Sequence, residues 1–140
     1  MFKTSETEEE AMYLVKANAP INTEAYTYVQ TQMSSGKIKF LIDETQAKNK
    51  LMTTKVGQAM SPDKRAEHLR PFTLTTVLRE QMLNLIEENE GVNIILKQSS
   101  KKIKKDKFSA FEYGLYYIKQ EEDRKRRKKR VNIADLMFFT

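Results

Sequence analysis

The sequence of 140 residues has no cysteine, a single histidine and only four glycines. The lack of cysteine excludes disulfide bridges, thiolate metal sites and cysteine nucleophiles, and it fits a reducing compartment. One histidine, His68, excludes a metal site built from two histidines of this chain. His68 lies in the polar stretch RAEHLRP with no nucleophile elbow nearby, so we interpret it as a surface or helix-end residue. No GxxxxGK[ST] pattern is present, which excludes a phosphate-binding P-loop.

Long apolar segments are also missing. No stretch approaches the roughly 18 consecutive apolar residues of a membrane-spanning helix, and the start MFKTSETEEE lacks the basic-then-apolar layout of a signal peptide. Hydrophobic residues make up 39% and charged residues 31% of the chain, which favours a folded protein with a modest core. We therefore expect a soluble, intracellular protein without a membrane partner, of one domain or part of one.

Positive charge is concentrated in the second half of the sequence. The formal net charge is +6, and residues 97–130 carry fourteen basic residues against five acidic ones. Such a concentration attracts phosphate backbones or acidic surfaces. A solvated helix face with a charged tail is an equally good interpretation of the charge alone.

The hydrophobic pattern predicts a mostly helical chain with few strands. Gly36 is expected to end the first helix, for which Asn22 is the predicted N-cap. A hinge is expected at residues 69–72, and Asp43-Glu44 is interpreted as a helix start. Helices are predicted at about residues 22–35, 44–55, 63–69, 73–88 and 106–127, and strands or extended segments at 11–16, 37–42 and 92–96. Two or three strands make a poor sheet, so either the fold is mostly helical or strands are missing from this chain.

The stretch KKIKKDKFSAFEYGLYYIK, residues 101–119, is the most informative. Asp106 stands among five lysines at the start of an amphipathic helix. A carboxylate there can ligate a divalent cation while the lysines hold the phosphates of a nucleic acid. Alternatively, Asp106 only stabilises the positive end of the helix, or Ser109 and Glu112 form a capping box that starts the helix later. On spacing alone the structural interpretation is favoured, because one aspartate is not a metal site.

Three segments resemble the C-terminal part of the nuclease domain of tailed-phage terminase large subunits. They are KANAPINTEAYTYVQTQMSSGKIKFLID (16–43), LRPFTLTTVLREQMLNL (69–85) and KKDKFSAFEYGLYYIKQEED (104–123), and the similarity spans about residues 11–140. The last segment is the most specific. It is similar to the family pattern Lys-Asp-Arg/Lys-x-Ser-Ala-x-x-Tyr-Gly-Leu at the opening of the final helix.

The resemblance implies an α/β fold, namely an incomplete RNase H-like nuclease domain, helix-rich with two or three short strands. It implies that Asp106 is a catalytic ligand of Mg²⁺ or Mn²⁺ in a two-metal site. The family's other acidic positions lie on upstream strands that have no counterpart here. We therefore expect the chain alone to be marginally folded or self-associating, and to need a companion that carries those strands. The residues expected to contact DNA are Lys101, Lys102, Lys104, Lys105, Lys107, Arg124, Arg126 and Arg127.

The implied function is that of a metal-dependent endonuclease that cuts double-stranded DNA concatemers during DNA packaging in the host bacterial cytoplasm. The expected partners are double-stranded DNA, the upstream ATPase and nuclease strands, and the terminase small subunit and portal. Residues 1–10 are expected to be a flexible acidic terminus, 11–130 the nuclease portion and 131–140 an apolar tail that docks on something. Two alternatives remain open: a non-catalytic DNA- or partner-binding fragment, and an inactive gene remnant. Tyr113, Tyr116 and Tyr117 are interpreted as core and core rim rather than as a base-stacking platform.

Overall fold

The computed structural model describes the backbone of residues 15–137 and the side chains of residues 15–129. It is helix-rich and contains a two-stranded antiparallel sheet, which agrees with the predicted α/β class at that coarse level. No described helix combines the length and apolarity needed to cross a membrane. The elements in chain order are α1 (Ala19–Ser34), α2 (Glu44–Met52), α3 (Lys55–Ala59), α4 (Pro62–Leu83), β1 (Leu85–Glu90), β2 (Asn93–Gln98) and α5 (Asp106–Met137).

The first helix begins earlier than predicted. Its N-cap is Asn18, whose side-chain oxygen accepts a hydrogen bond from the amide of Ile21 at 2.9 Å. Pro20 lies in the first turn, where its missing N–H costs nothing and its fixed φ suits the helix. The prediction of a cap at Asn22 was therefore wrong, because a cap residue followed by a proline in the first turn is itself a helix start.

The second helix begins as predicted. Asp43 is its N-cap and accepts from the amide of Gln46 at 2.9 Å. Residues 37–42, by contrast, form no strand and have no regular structure. The strand predicted at residues 11–16 lies mostly outside the described residues, and residues 15 and 16 have no regular structure.

The fourth helix runs through the segment that was predicted to be a hinge. Pro71 lies inside α4, where it removes one backbone hydrogen bond without ending the helix. Leu69 is buried and α4 packs against α2, so tertiary contacts hold the segment helical in spite of the proline. The hinge at residues 69–72 and the division of this region into two helices were therefore wrong.

The same helix ends before the apolar residues that were assigned to it. Its C-cap is Asn84, and Leu85 and Ile86 belong to β1, which pairs with β2 in an antiparallel hairpin. Gly91, with φ +61°, is the first of the two turn residues, and this left-handed conformation suits glycine. Among the described residues these two strands form the whole sheet, so the outer edge of each strand has no neighbouring strand.

The core is small and lies where α1, β2 and α5 meet. Ala25 and Val29 of α1 and Phe108 and Tyr116 of α5 are buried, and the two helices pack on each other. Phe108 is 2% exposed, whereas Ile118 of the same helix is 46% exposed. The buried face of this helix is centred on Phe108, Glu112 and Tyr116, which follow one another every four residues.

Candidate nucleic-acid interface at the start of the last helix

Asp106 is the first residue of α5, directly after the loop 99–105. One carboxylate oxygen, Oδ1, accepts a hydrogen bond from the side-chain amide of Gln81 at 2.9 Å. The other, Oδ2, lies 3.6 Å from the ammonium of Lys107, and the side chain is 62% exposed. The hydrogen bond from Gln81, and then the charge of Lys107, lower the pKa of Asp106 below its ordinary value. The carboxylate is therefore fully ionised at neutral pH and faces solvent.

Gln81 fixes the start of α5 from a neighbouring helix. Its side chain is buried in α4, and its carbonyl oxygen accepts from the backbone amides of Lys107 and Phe108, both at 3.0 Å. These amides belong to the first turn of α5, where no intrahelical acceptor exists. The capping box considered for Ser109 is not used, because the amide of Ser109 already bonds to the carbonyl of Lys105 at 2.9 Å.

Asn84 fixes the loop in the same way. Its buried side chain donates to the carbonyl of Ser100 and accepts from the amide of Ser100, both at 2.9 Å. Its backbone carbonyl also accepts from the amide of Ser99 at 2.8 Å. Gln81 and Asn84 together form the amide pair, which organises both the loop and the helix start. The sequence did not indicate this pair, because the backbone groups that the two amides bind lie 15 to 27 residues further along the chain.

The lysines of the loop are held at the surface by this framework. Lys101, Lys102, Lys104 and Lys105 are exposed, and Lys107 is half-buried. The ammonium of Lys105 lies 3.5 Å from the carbonyl oxygen of Leu96. The structure therefore brings all five predicted lysines to the N-terminal end of one helix, where the helix dipole adds to their attraction for anions.

The predicted arginines lie elsewhere on the same helix. Arg124 pairs with Glu121 at 2.6 Å, Arg126 lies 3.8 Å from Glu122, and Arg127 is exposed. At 1.5 Å per residue the 21 positions from Lys105 to Arg126 correspond to roughly 32 Å along the axis. The basic residues thus form two separate clusters rather than one patch. Exposed ion pairs of this kind contribute little and can be exchanged for phosphate contacts.

The described residues do not fit a two-metal centre. In the part of the chain with described side chains, no group of three or more His, Cys, Asp or Glu residues could hold a metal ion. The neighbours of the Asp106 carboxylate are an amide and an ammonium, not further acids. Asp43 is used as a helix cap, as predicted. One exposed carboxylate is what this segment can contribute to such a centre.

The three tyrosines of α5 divide between the core and the surface. Tyr116 is 8% exposed, and Tyr113 is half-buried and donates its hydroxyl to Asn22 at 2.9 Å. These two positions confirm the interpretation as core and core rim. Tyr117 is 43% exposed, so the interpretation was wrong for this residue. Residues 131–140, predicted to be a docking tail, lie outside the part of the chain whose side chains are described.

Comparison with known proteins gives no match at the level of a protein family, a curated protein or a solved structure. The functional conclusion is therefore drawn from the local geometry and from the resemblance of the segments quoted above.

Proposed function

We propose that the chain is part of the nuclease of a tailed-phage terminase large subunit, and that it binds the backbone of double-stranded DNA there. One observation carries the proposal. The amide pair Gln81 and Asn84, both buried, holds a lysine-rich loop and a helix N-terminus in a fixed arrangement, with the lysines turned to solvent. A basic loop that is held in place in this way presents its lysines together, as binding of a polyanion requires.

The spacing of the two basic clusters supports a duplex as this ligand. About 32 Å along α5 separates the lysines from the arginines, and one turn of B-DNA spans about 34–36 Å. A duplex lying along the helix would meet phosphates at both clusters. Such contacts position the DNA without reading its sequence.

Catalysis in this proposal belongs to the assembled enzyme. Asp106 would contribute one oxygen ligand for Mg²⁺ or Mn²⁺, since hard divalent ions prefer carboxylates. The remaining acids, the strands that complete an RNase H-like sheet and the ATPase would come from elements outside this sequence. The outer edge of β1 offers a place where such a strand can add, whereas α1 lies against β2 and Thr23 bonds to the amide of Ile94 at 2.9 Å. We propose the terminase small subunit and the portal as further partners of this enzyme, and the host bacterial cytoplasm as its location.

A second candidate is a DNA-binding fragment without catalytic activity. It is favoured by the contacts of Asp106, because its carboxylate meets the amide of Gln81 and the ammonium of Lys107 rather than further acids. In that case the function of the aspartate is to hold the loop and not to bind metal.

Nicking of supercoiled plasmid by the purified chain separates the two candidates. The assay compares Mn²⁺ with chelator, and Asp106→Asn with the control Asp63→Asn, an exposed acid in the first turn of α4. The nuclease proposal expects metal-dependent nicking that Asp106→Asn abolishes and Asp63→Asn preserves. If the chain binds DNA in chelator but nicks no plasmid, either alone or with the companion that carries the missing strands, the nuclease proposal is refuted and the DNA-binding fragment is supported.

DNA binding itself is tested through its salt dependence. Replacing Lys101, Lys102 and Lys104 by glutamine should weaken DNA binding. It should also reduce the slope of log binding constant against log salt concentration by about one for each phosphate that is no longer neutralised. The matched control replaces three exposed lysines of α2 and α3, namely Lys48, Lys50 and Lys55. Equal effects of the two triple variants would refute a specific role for the loop.

A further inference from the structure

A cavity of about 300 Å³ lies between α1, β2 and α5, close to the start of α5. Its walls are largely apolar and include Ile94, Leu96 and Phe108. Polar groups line the rest, among them Asn22, Tyr113 and the carboxylate of Glu112. Small-molecule sites have this combination of apolar walls and a few polar groups.

Glu112 is the unexplained group in this cavity. The residue is only 6% exposed, and no described residue donates a hydrogen bond to its carboxylate. A largely buried carboxylate without a protein hydrogen-bond donor is costly, since it loses part of its hydration. Burial accordingly raises the pKa of Glu112 to about 7, although the charge of Lys105 acts in the opposite direction.

The charged and titratable groups around Glu112 come from each neighbouring element. Burial raises the pKa values of Tyr26 of α1 and Tyr113 of α5, and the nearby charge of Glu112 adds to both shifts. Lys105 reaches the cavity from the loop and is exposed, and β2 contributes only apolar side chains to the lining. Among the residues that the structure describes, no other acid lines the cavity. The site therefore has one buried carboxylate, with the ammonium of Lys105 and apolar surface beside it.

We propose that this cavity binds a small organic ammonium ion, with its charged head on Glu112 and its carbon chain against Ile94, Leu96 and Phe108. An ammonium group supplies the hydrogen-bond donors that the carboxylate lacks, and a short alkyl chain suits the apolar wall. An anionic ligand would meet the carboxylate of Glu112 and is disfavoured.

A metal ion fits this cavity less well than an ammonium ion. Hard divalent cations take about six or more oxygen ligands. The amide oxygens of Asn18 and Asn22 are already used, the first by the amide of Ile21 and the second by the hydroxyl of Tyr113. That leaves Glu112 as the one carboxylate of the site within the described part of the chain. The inference rests on Glu112 and not on Asp106, so it stands independently of the proposed nuclease.

The test is a titration followed by ¹H–¹⁵N NMR, with n-butylammonium as the probe and the neutral 1-butanol as its matched control. At pH 8 the ammonium ion should give saturable shifts at residues around the cavity, and butanol should bind at least about tenfold more weakly because it cannot pair with the carboxylate. Glu112→Gln should weaken binding of the ammonium ion by a similar factor, and Glu80→Gln, an exposed acid of α4, should not.

The pH dependence adds a second readout. Because only ionised Glu112 pairs with an ammonium ion, the pKa of about 7 predicts binding about tenfold weaker at pH 6 than at pH 8. Equal binding of butanol and butylammonium, or unchanged binding by Glu112→Gln, would overturn the proposal. Ser109→Leu is a second variant, in case Glu112→Gln does not fold. It should fill the cavity and leave Glu112 in place. Binding that survives Ser109→Leu would likewise contradict the site.

Discussion

Replacement of Gln81 by alanine should destabilise the protein more than replacement of an exposed glutamine does. Gln81 makes three hydrogen bonds to the start of α5: it donates to Asp106 and accepts from the amides of Lys107 and Phe108. A hydrogen bond contributes about 1 kcal/mol net, and more where a charged group or an orphaned buried amide is involved. The expected loss is therefore about 3 kcal/mol in the free energy of unfolding.

Urea unfolding followed by circular dichroism measures this loss, with Gln46→Ala as the control. Gln46 is exposed on α2, and its replacement by the best helix former should change stability by less than about 0.5 kcal/mol. A loss below about 1 kcal/mol for Gln81→Ala, or one equal to the control, would refute the role assigned to the amide.

Gln81→Glu separates the donor from the acceptor function of the side chain. A carboxylate still accepts from the two backbone amides, but it places a second negative charge against the Asp106 oxygen that now lies 2.9 Å from the donor nitrogen. Like charges raise the pKa of the carboxyl pair, so the variant should be destabilised at pH 7 and should recover as the pH falls toward 4. A variant as stable as wild type at pH 7 would show that the bond to Asp106 contributes nothing.

Three further predictions concern stability and can be checked by the same unfolding measurement. Glu112 has its pKa raised from 4.5 to about 7, so its protonated form stabilises the fold fully below pH 4.5, and this contribution is lost as the pH rises through 7. Glu112→Gln should accordingly be more stable than wild type at pH 8, by on the order of 2 kcal/mol, and nearly equal at pH 4; a difference independent of pH would contradict the burial of this carboxyl. Gly57→Ala should cost about 2–3 kcal/mol because its Cβ would lie 2.0 Å from the carbonyl oxygen of Leu51, whereas Gly114→Ala meets nothing within 4 Å and should stabilise by about 0.5–1 kcal/mol. Pro71→Ala should raise the free energy of unfolding by about 1–3 kcal/mol, since it restores a hydrogen bond inside α4. A decrease would contradict this reasoning and show that the proline stabilises the fold.

The sequence predicts those features that depend on residues close together in the chain. Asp43 caps a helix because an aspartate beside a helix start can reach the free amides two or three residues on. The strand at β2 and the lysine loop were likewise predicted, because an apolar run and a cluster of lysines are both local patterns. The five lysines could be assigned to one helix start for the same reason.

The features that the sequence did not predict depend on tertiary contacts. Pro71 indicates a hinge in the sequence, and only packing of α4 on α2 keeps the segment helical. Leu85 and Ile86 continue the apolar stripe of α4, yet they pair with β2, because the hairpin supplies hydrogen bonds that the end of a helix lacks. The amide pair was not predicted because its partners lie up to 27 residues away. No local pattern shows that a glutamine in one helix caps the start of another.

The packing of α1 on α5 has a consequence for synthesis of the chain. Tyr28 and Glu122, which join the two helices through a hydrogen bond, are 94 residues apart in the sequence. At roughly 5–20 residues per second a ribosome needs about 5–20 s to make that interval. During this time Ala25 and Val29, which are almost completely buried in the finished fold, have no partner helix to cover them. Helix α1 is therefore the segment of the nascent chain that we expect a chaperone to bind.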